Sequence, residues 1–371
     1  MESENVKVIA FYLPQYYPVS ENDSYYGKGF TEWTNVGKTK PLYKGHYQPR
    51  VPADLGYYDL RVSAVQEEQA NLAKEANIAA FCYYHYWFGN GKVLLDKPLQ
   101  TMLSNKNIDL PFCLAWANHT WYKKTWEVKK KSLKNELIVE QLYPGKEDII
   151  AHFYYLLSAF KDTRYYRIHN KLVFTIYDCI SFPNIEEFKC IWNDLAIKEG
   201  LPGFYFVGCA NDVKTLKAEV KYSQYDAIVL SLLTNPINGG IYSIGGRLKY
   251  KLFSMMSSLL RRPLHVYKYS NAIKYFVHEL YKQKNIYPVL IPNWDASPRR
   301  GEGAYILDGS TPVHFKQHIK MVLNIVKEKP LDDQIIFLKS WNEWGEGNYM
   351  EPDLKYGKGY INVLRESLKG I

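Results

Sequence analysis

Eight short apolar runs, separated by stretches of helical periodicity, dominate the pattern of hydrophobic and polar positions along the chain. They are rich in Val, Ile, Leu, Phe and Tyr and occupy residues 6–14, 79–87, 112–118, 172–178, 204–210, 227–232, 288–295 and 335–342. Continuous apolar runs of this length are typical of strands buried on both faces, as in a parallel sheet.

Apolar residues recur every three or four positions between several of these runs, which predicts amphipathic helices. One such segment follows Gly145, another ends before Gly200, and a third begins at Thr311, the predicted N-cap, with Pro312 next. Alternating strands and helices form βαβ units, and eight of them predict an α/β fold, a closed (β/α)8 TIM barrel. An open doubly wound sheet is the alternative, disfavoured because no Gly-x-Gly-x-x-Gly follows the first strand.

We expect one domain over residues 1–371, with long loop insertions at about 16–61, 120–143 and 233–269. All three loops leave the predicted carboxyl ends of strands, where barrel enzymes build their sites. Residues 250–262 are basic and amphipathic. That pattern is typical of a helix in peripheral contact with a membrane surface, or of one that packs on its own domain.

Composition changes this picture in three ways. Aromatic residues make up 16% of the chain, with 33 Tyr and 9 Trp, and such rings suit sugars; a general bias toward Tyr is the alternative. The formal net charge of +9 fits an anionic partner or a merely solubilising surface, but no nucleic-acid motif accompanies it. Of the five Cys, four fall in or just after apolar runs and are predicted to be buried free thiols of a reducing compartment.

The first residues form no signal-peptide pattern, and no run is long enough to span a membrane. We therefore expect a cytoplasmic protein. No metal-ligand spacing, Walker loop or nucleophile elbow occurs, so we expect neither a metal nor another cofactor.

Polar and aromatic side chains crowd the ends of six of the runs. In a barrel these ends meet on one rim, and buried polar groups without a task carry a desolvation cost. We therefore take them as candidate substrate-binding residues: Tyr12, Gln15, Tyr84, His85, Trp87, Trp116, Asn118, Asp178, Asn293, Trp294, Asp295, Trp341 and Asn342.

The last run leads into Ser-Trp-Asn-Glu-Trp-Gly-Glu-Gly, the sharpest constellation in the chain. Glu343 and Glu346 are three residues apart, so a single helical turn puts both carboxylates on one side. Two neighbouring carboxylates push their pKa values apart, which supplies the acid and the base that glycoside chemistry needs. Trp344 adds a ring for stacking.

Two further segments offer candidates. Arg299 and Arg300 suit an anionic sugar or a diphosphate, or pair with Asp295. Glu32 and Trp33 lie in the first long loop, which covers the pocket or packs on its rim.

Together, the segments 11–17, 29–36, 83–88, 114–118, 294–301 and 340–347 resemble the WbsX-type family, also described as glycoside hydrolase family 99-like. The resemblance covers nearly the whole chain. It implies a role in bacterial lipopolysaccharide, O-antigen or capsule synthesis, where members are often labelled glycosyltransferases. The related family 99 enzymes are endo-acting α-mannosidases and mannanases with a (β/α)8 fold.

The resemblance also implies a division of labour. In those hydrolases the first Glu deprotonates the substrate 2-hydroxyl, which attacks its own anomeric carbon, and the second Glu is acid, then base. Glu343 would be the 2-hydroxyl base and Glu346 the acid/base. The expected partner is an oligo- or polysaccharide, free or lipid-linked. A sugar-nucleotide-dependent glycosyltransferase and a non-catalytic glycan-binding protein are the alternatives.

Overall fold

Eight parallel strands close into a barrel in the computed structural model, which describes residues 6–122, 136–237 and 263–369. Each strand pairs with the next, and the first also pairs with the last, so the predicted TIM barrel is confirmed. The strands are β1 (Lys7–Tyr12), β2 (Ala80–Trp87), β3 (Phe112–Trp116), β4 (Lys171–Ile176), β5 (Phe204–Ala210), β6 (Ala227–Leu230), β7 (Ile286–Leu290) and β8 (Ile335–Leu338).

Burial on both faces explains why these strands have nearly continuous apolar sequences. All seven residues of β5 and all five of β3 are buried, because one face fills the barrel interior and the other meets the helices. Six of the predicted runs end within two residues of their strands.

The strand predicted at 288–295 extends too far at its carboxyl end, because β7 ends at Leu290. Pro292 has no N–H to give to a ladder, and the chain leaves the barrel after β7. Trp294–Asp295 pairs instead with Tyr305–Asp308 in a separate antiparallel ladder. The run at 335–342 is also too long, since β8 ends at Leu338.

The longer helices cover the outside of the barrel, and several short ones lie in the loops at the carboxyl ends of the strands. In chain order they are α1 (Ser20–Tyr26), α2 (Glu32–Gly37), α3 (Ser63–Glu75), α4 (Lys97–Ser104), α5 (Lys146–Phe160), α6 (Ile185–Lys198), α7 (Val213–Ala218), α8 (Tyr269–Ala272), α9 (Ser297–Arg300), α10 (Pro312–Val326) and α11 (Gly359–Lys369). Short 3-10 turns lie at Val220–Gln224, Ile273–Tyr275, Glu279–Lys282, Gly301–Gly303, Leu331–Asp333 and Trp344–Glu346.

The predicted ends of two helices are confirmed. Thr311 caps α10, and its hydroxyl accepts a hydrogen bond from the backbone N–H of His314 at 3.2 Å. Beyond α6, Gly200 has a φ of +74°. The N–H of Leu201 reaches back to the carbonyl of Ala196 at 2.8 Å, which closes the helix in a Schellman motif.

The long loops carry structure of their own. The first contains α1 and α2, and the second contains the short strands Trp121–Tyr122 and Leu137–Val139, which pair with each other. The predicted amphipathic segment 250–262 lies outside the described residues. Within the described ranges, no helix is both long and apolar enough to cross a membrane.

The remaining short strands are Val93–Leu94, Arg167–Ile168, His265–Lys268, Asn342–Glu343 and Asn348–Tyr349.

The thiols predicted to be buried are free and buried, namely Cys82, Cys113, Cys179 and Cys209, whereas Cys190 is exposed. Many of the aromatic residues lie in the core rather than on a sugar-binding surface. Trp192, for example, is fully buried against Phe174 and Phe188.

Replacing Thr311 by Ala should lower the free energy of unfolding by about 1 kcal/mol, because the first turn of α10 loses the acceptor for an N–H. Urea unfolding followed by circular dichroism measures the difference. Thr311→Ser keeps the hydroxyl and is the control, so equal stability of the Ala and Ser variants would contradict the capping role.

Candidate active site

A cleft opens at the carboxyl ends of the barrel strands, and both charged side chains and aromatic rings line it. Its charged wall consists of Glu32, Arg299, Lys339, Glu343 and Glu346. Its aromatic side chains are Tyr26, Phe30, Tyr84, Tyr86, Trp121, Tyr122 and Tyr177.

The guanidinium of Arg299 lies at the centre of the charged wall. Its Nε donates to Glu32 Oε2 at 3.0 Å. Its Nη1 lies 2.8 Å from Glu343 Oε1 and 3.0 Å from Glu346 Oε1. The arginine is on α9, Glu32 begins α2, and the other two carboxylates follow β8, so one cation joins three loops.

A tight turn after β8 sets the two carboxylates side by side. Glu343 ends the short strand Asn342–Glu343, and a single 3-10 turn, Trp344–Glu346, brings Glu346 back to the same side. Gly347 then adopts a φ of +53°, and a Cβ there would lie 2.9 Å from the Asp295 backbone. The turn therefore places the carboxylates of Glu343 and Glu346 on the same side, as their spacing predicts.

Gly345 leaves the space that the carboxylate of Glu32 occupies. A Cβ at this position would lie 1.8 Å from Glu32 Oε2 and 3.0 Å from Arg299 Nε. The absence of a side chain therefore allows the cation and its third carboxylate to pack directly against the turn.

Burial, together with the charge of Glu346, raises the pKa of Glu343 above its usual range. The cations Arg299 and Lys339 oppose that rise. Burial disfavours the charged form of Lys339, but its interactions with Tyr177, Glu343 and Glu346 raise the pKa of the ammonium above its usual value. The ammonium thus stays charged beside the pair.

Tyr16 and Asn342 hold the turn from below. The Tyr16 hydroxyl donates to the carbonyl of Asn342 and accepts from the N–H of Trp344. The side chain of Asn342 makes two hydrogen bonds to the backbone of Leu13, at 2.8 and 3.0 Å, and so joins the end of β1 to the last loop. Both side chains are fully buried.

The structure brings six of the candidates to the cleft wall. They are Gln15, Glu32, Tyr84, Arg299, Glu343 and Glu346.

Four candidates face the helices rather than the cleft: Tyr12, His85, Trp87 and Trp116. Alternate residues of a strand point to opposite sides, so Tyr84 and Tyr86 reach the cleft while His85 does not. The Nε2 atom of His85 lies 2.9 Å from that of buried His152, and burial lowers the pKa of His85 to about 3. A neutral, enclosed imidazole is placed for packing, not for proton transfer.

Asn118 and Asp178 join strand ends and do not line the cleft. The Asn118 amide donates to the Asp178 carbonyl at 2.9 Å and accepts from its N–H at 2.8 Å. The Asp178 carboxylate accepts from the N–H of Ser181. Both side chains therefore hold the loops after β3 and β4.

A further group of candidates supports the wall from behind: Trp33, Asn293, Trp294, Asp295, Trp341, Asn342 and Trp344. Asp295 pairs with neither arginine that the sequence suggested. It accepts from His46 at 2.7 Å and Gln48 at 2.8 Å. Although burial opposes it, the His46 hydrogen bond and the charge of Arg50 hold the pKa of Asp295 at about 2. Arg300, the remaining candidate, is exposed.

Sequence reasoning missed several wall residues, above all Lys339, Tyr177 and Tyr86. Lys339 directly follows β8. A single charged residue at the end of an apolar run was the one feature of the sequence that could have indicated its place in the wall. Among the described residues, no group of three or more His, Cys, Asp or Glu side chains is arranged to hold a metal ion.

The profile of the family described as Glycosyltransferase WbsX matches residues 8–364. The chain belongs to this family. Two curated relatives, the uncharacterized protein WxcX from two strains of Xanthomonas campestris pv. campestris, are each 30% identical over 368 and 372 residues. These matches cover 97% of the chain but 49% of each relative, so the chain spans about half of their length.

Solved structures with the same fold include a glycoside hydrolase-like protein and the GH99 endo-alpha-mannosidase from Bacteroides thetaiotaomicron. The first has a TM-score of 0.58 over 99% of this chain and 95% of its own. The second has a TM-score of 0.53 over 98% and 96%. Both are 14% identical to this WbsX-family chain, so the likeness concerns the fold alone.

Gly345→Ala should displace the Glu32 carboxylate and lower the free energy of unfolding by about 1–3 kcal/mol, because a methyl group overlaps Oε2. Thermal unfolding gives the difference. Gly303→Ala, where a Cβ meets nothing within 4 Å, is the matched control. A Gly345 variant as stable as the control would show that the turn is not packed against Glu32.

Arg299→Met should cost about 3–5 kcal/mol of stability at pH 7, because it leaves buried carboxylates without their cation. The pKa of Glu343, which burial already raises, then loses the opposing effect of Arg299, so the loss of stability should shrink as pH falls and Glu343 takes up a proton. Urea unfolding at several pH values measures this. Arg300→Met, which removes an exposed neighbouring charge, should have little effect; a pH-independent loss at Arg299 would argue against the electrostatic explanation.

Proposed function

We propose that the chain is a carbohydrate-active enzyme that cleaves or forms a glycosidic bond, with Glu343 and Glu346 as its catalytic residues. One observation carries the proposal: both carboxylates approach the same nitrogen of Arg299 on the wall of an aromatic-lined cleft. Paired carboxyl groups flanking a scissile bond are the usual machinery of glycoside chemistry.

The roles follow the family 99 pattern, a retaining route assisted by the substrate 2-hydroxyl. Glu343 takes the proton of that hydroxyl, whose oxygen attacks the anomeric carbon as Glu346 protonates the departing oxygen. In the second step Glu346 removes a proton from water or an acceptor hydroxyl, whose oxygen attacks the same carbon. The bond between that carbon and the 2-oxygen breaks, and Glu343 returns its proton to the 2-oxygen. The raised pKa of Glu343 supports its part, because a more basic carboxylate accepts a proton more readily.

The substrate that we propose is an oligo- or polysaccharide of bacterial surface-polysaccharide synthesis, free or lipid-linked, handled in an endo-mannosidase-like manner. Tyr26 and Phe30 stack on each other with ring centroids 4.4 Å apart, and they line the same cleft as Trp121 and the charged wall. Aromatic ring faces suit the C–H surfaces of sugars, and the charged wall supplies partners for hydroxyl groups.

Direct transfer from a sugar nucleotide is the second candidate, and the family's description as a glycosyltransferase favours it. The geometry gives it less support. The Arg299 guanidinium, which would suit a diphosphate, is already engaged by three carboxylates, and Arg300 is exposed. A diphosphate would have to displace those carboxylates or bind elsewhere.

Glu346→Gln and Glu343→Gln should each lower turnover of an α-mannan oligosaccharide by about 100-fold or more, because each removes a proton-transfer group. Product analysis by NMR measures the rate and tests retention at the anomeric carbon. Glu302→Gln, on the neighbouring 3-10 turn, is the control. Wild-type turnover in the Glu346 variant would refute the catalytic assignment, and turnover that requires a sugar nucleotide would favour the second candidate.

The wild-type rate should rise with pH along an acidic limb. Glu343 acts when ionised, so the rate climbs as pH rises through its raised pKa. In Glu343→Gln the ascending limb that belongs to Glu343 should disappear from the residual rate.

A further inference from the structure

A buried carboxylate lies behind the catalytic turn, five residues beyond Glu346. Glu351 is 1% exposed and accepts three hydrogen bonds. They come from Trp344 Nε1 at 2.6 Å, Gln69 Nε2 at 2.7 Å and the Tyr58 hydroxyl at 3.0 Å. Among the described residues, no Lys, Arg or His nitrogen forms an ion pair with it, so neutral donors alone hold this carboxyl group.

The three donors belong to three different parts of the barrel. Gln69 is on α3 and accepts from the Tyr12 hydroxyl of β1 at 2.7 Å. Tyr58 is in the first long loop, and its hydroxyl also accepts from the Asn342 amide at 3.3 Å. Trp344 is the residue directly after Glu343, so its indole couples Glu351 to the backbone of the catalytic turn.

The indole has little freedom apart from this hydrogen bond. It stacks on Tyr349 with ring centroids 3.7 Å apart and planes 10° apart, and it is 1% exposed. Stacking fixes the plane of the ring, and the Nε1 hydrogen bond fixes its rotation within that plane. A shift of the indole would therefore move the turn that carries Glu343 and Glu346.

We infer that Glu351 is a positioning residue, which acts through the Trp344 indole to keep the carboxylates of Glu343 and Glu346 in contact with the Arg299 guanidinium. This inference rests on the proposed function. It assigns a task to a buried carboxyl group that the proposed reaction does not itself use.

The protonation of Glu351 makes this coupling measurable. Burial raises its pKa to about 7, although the hydrogen bonds from Trp344, Gln69 and Tyr58 oppose the rise. The phenols around it, Tyr12, Tyr16 and Tyr58, have pKa values held well above 10 by burial, so they stay neutral in this range. An ionised carboxylate accepts all three hydrogen bonds more strongly than the protonated acid does.

The first experiment follows the Trp344 indole N–H by two-dimensional 1H–15N NMR of tryptophan-labelled protein, with Trp344→Phe to assign the resonance. The resonance should move downfield with a midpoint near pH 7 in the wild type. It should not titrate in Glu351→Gln. An indole resonance at the same position in Glu351→Gln and in the wild type throughout the titration would overturn the inference.

The second experiment measures the affinity of a mannose-configured iminosugar for the same proteins. Glu351→Gln should bind it about tenfold more weakly than the wild type, because the loss of a charge-assisted hydrogen bond loosens the turn. Asp333→Asn is the control, since it neutralises another buried carboxylate, which pairs with His169 at the amino end of β8, whereas the catalytic turn follows the carboxyl end of that strand. Equal affinity in Glu351→Gln and the wild type would reduce Glu351 to a packing residue and overturn its positioning role.

Stability gives an independent check on folding. The folded pKa of Glu351 is raised, so ionisation of the unfolded chain reduces wild-type stability between about pH 4.3 and 7. The melting temperature of Glu351→Gln should therefore improve relative to the wild type as pH rises. A wild type that binds no iminosugar would count against the proposed mannose-type function, whereas the indole titration decides the role of Glu351 separately.

Discussion

The guanidinium of Arg299 lies among three carboxylates that would otherwise repel one another in a partly buried wall. Glu32 comes from the loop after β1, and Glu343 and Glu346 come from the loop after β8. Coulomb attraction is strong where water is scarce, so the cation can fix all three positions. Burying these charges costs desolvation free energy. Arginine offsets this cost better than lysine because its several N–H donors can bind several acceptors at once.

This arrangement leaves the wall with three acidic and two basic side chains when every group is charged, including Lys339. An excess of negative charge discourages a strongly anionic ligand and favours positive charge near the carboxylates. The transition state of glycosidic-bond cleavage resembles an oxocarbenium ion and carries such charge at the anomeric carbon. In the reaction that we propose, side chains held in place by Arg299 would stabilise that charge without having to reorient.

The barrel and the carboxylate pair were predictable because each depends on local sequence. A continuous apolar run indicates a strand that is buried on both faces. A spacing of three residues indicates two side chains on the same side of a turn. Which alternate residues of a strand face the cleft was not predictable. The sequence around His85 does not indicate whether the odd or the even positions point inward, and in the structure Tyr84 and Tyr86 do so. The three-way contact of Arg299 and the burial of Glu351 depend on segments hundreds of residues apart, so local patterns could not reveal them.

The distribution of polar groups behind the wall explains how long loops can hold a site that chemistry requires to be exact to a fraction of an ångström. The Asn342 amide joins the last loop to the end of β1, and the Tyr16 hydroxyl bridges two backbone groups of the turn. Glu351 extends the same support outward to α3 through Gln69. Each of these side chains is buried, so each hydrogen bond replaces one that water cannot supply, and breaking any of them strands a polar group. Rigidity in the turn thus arises from the barrel beneath it rather than from the loop itself.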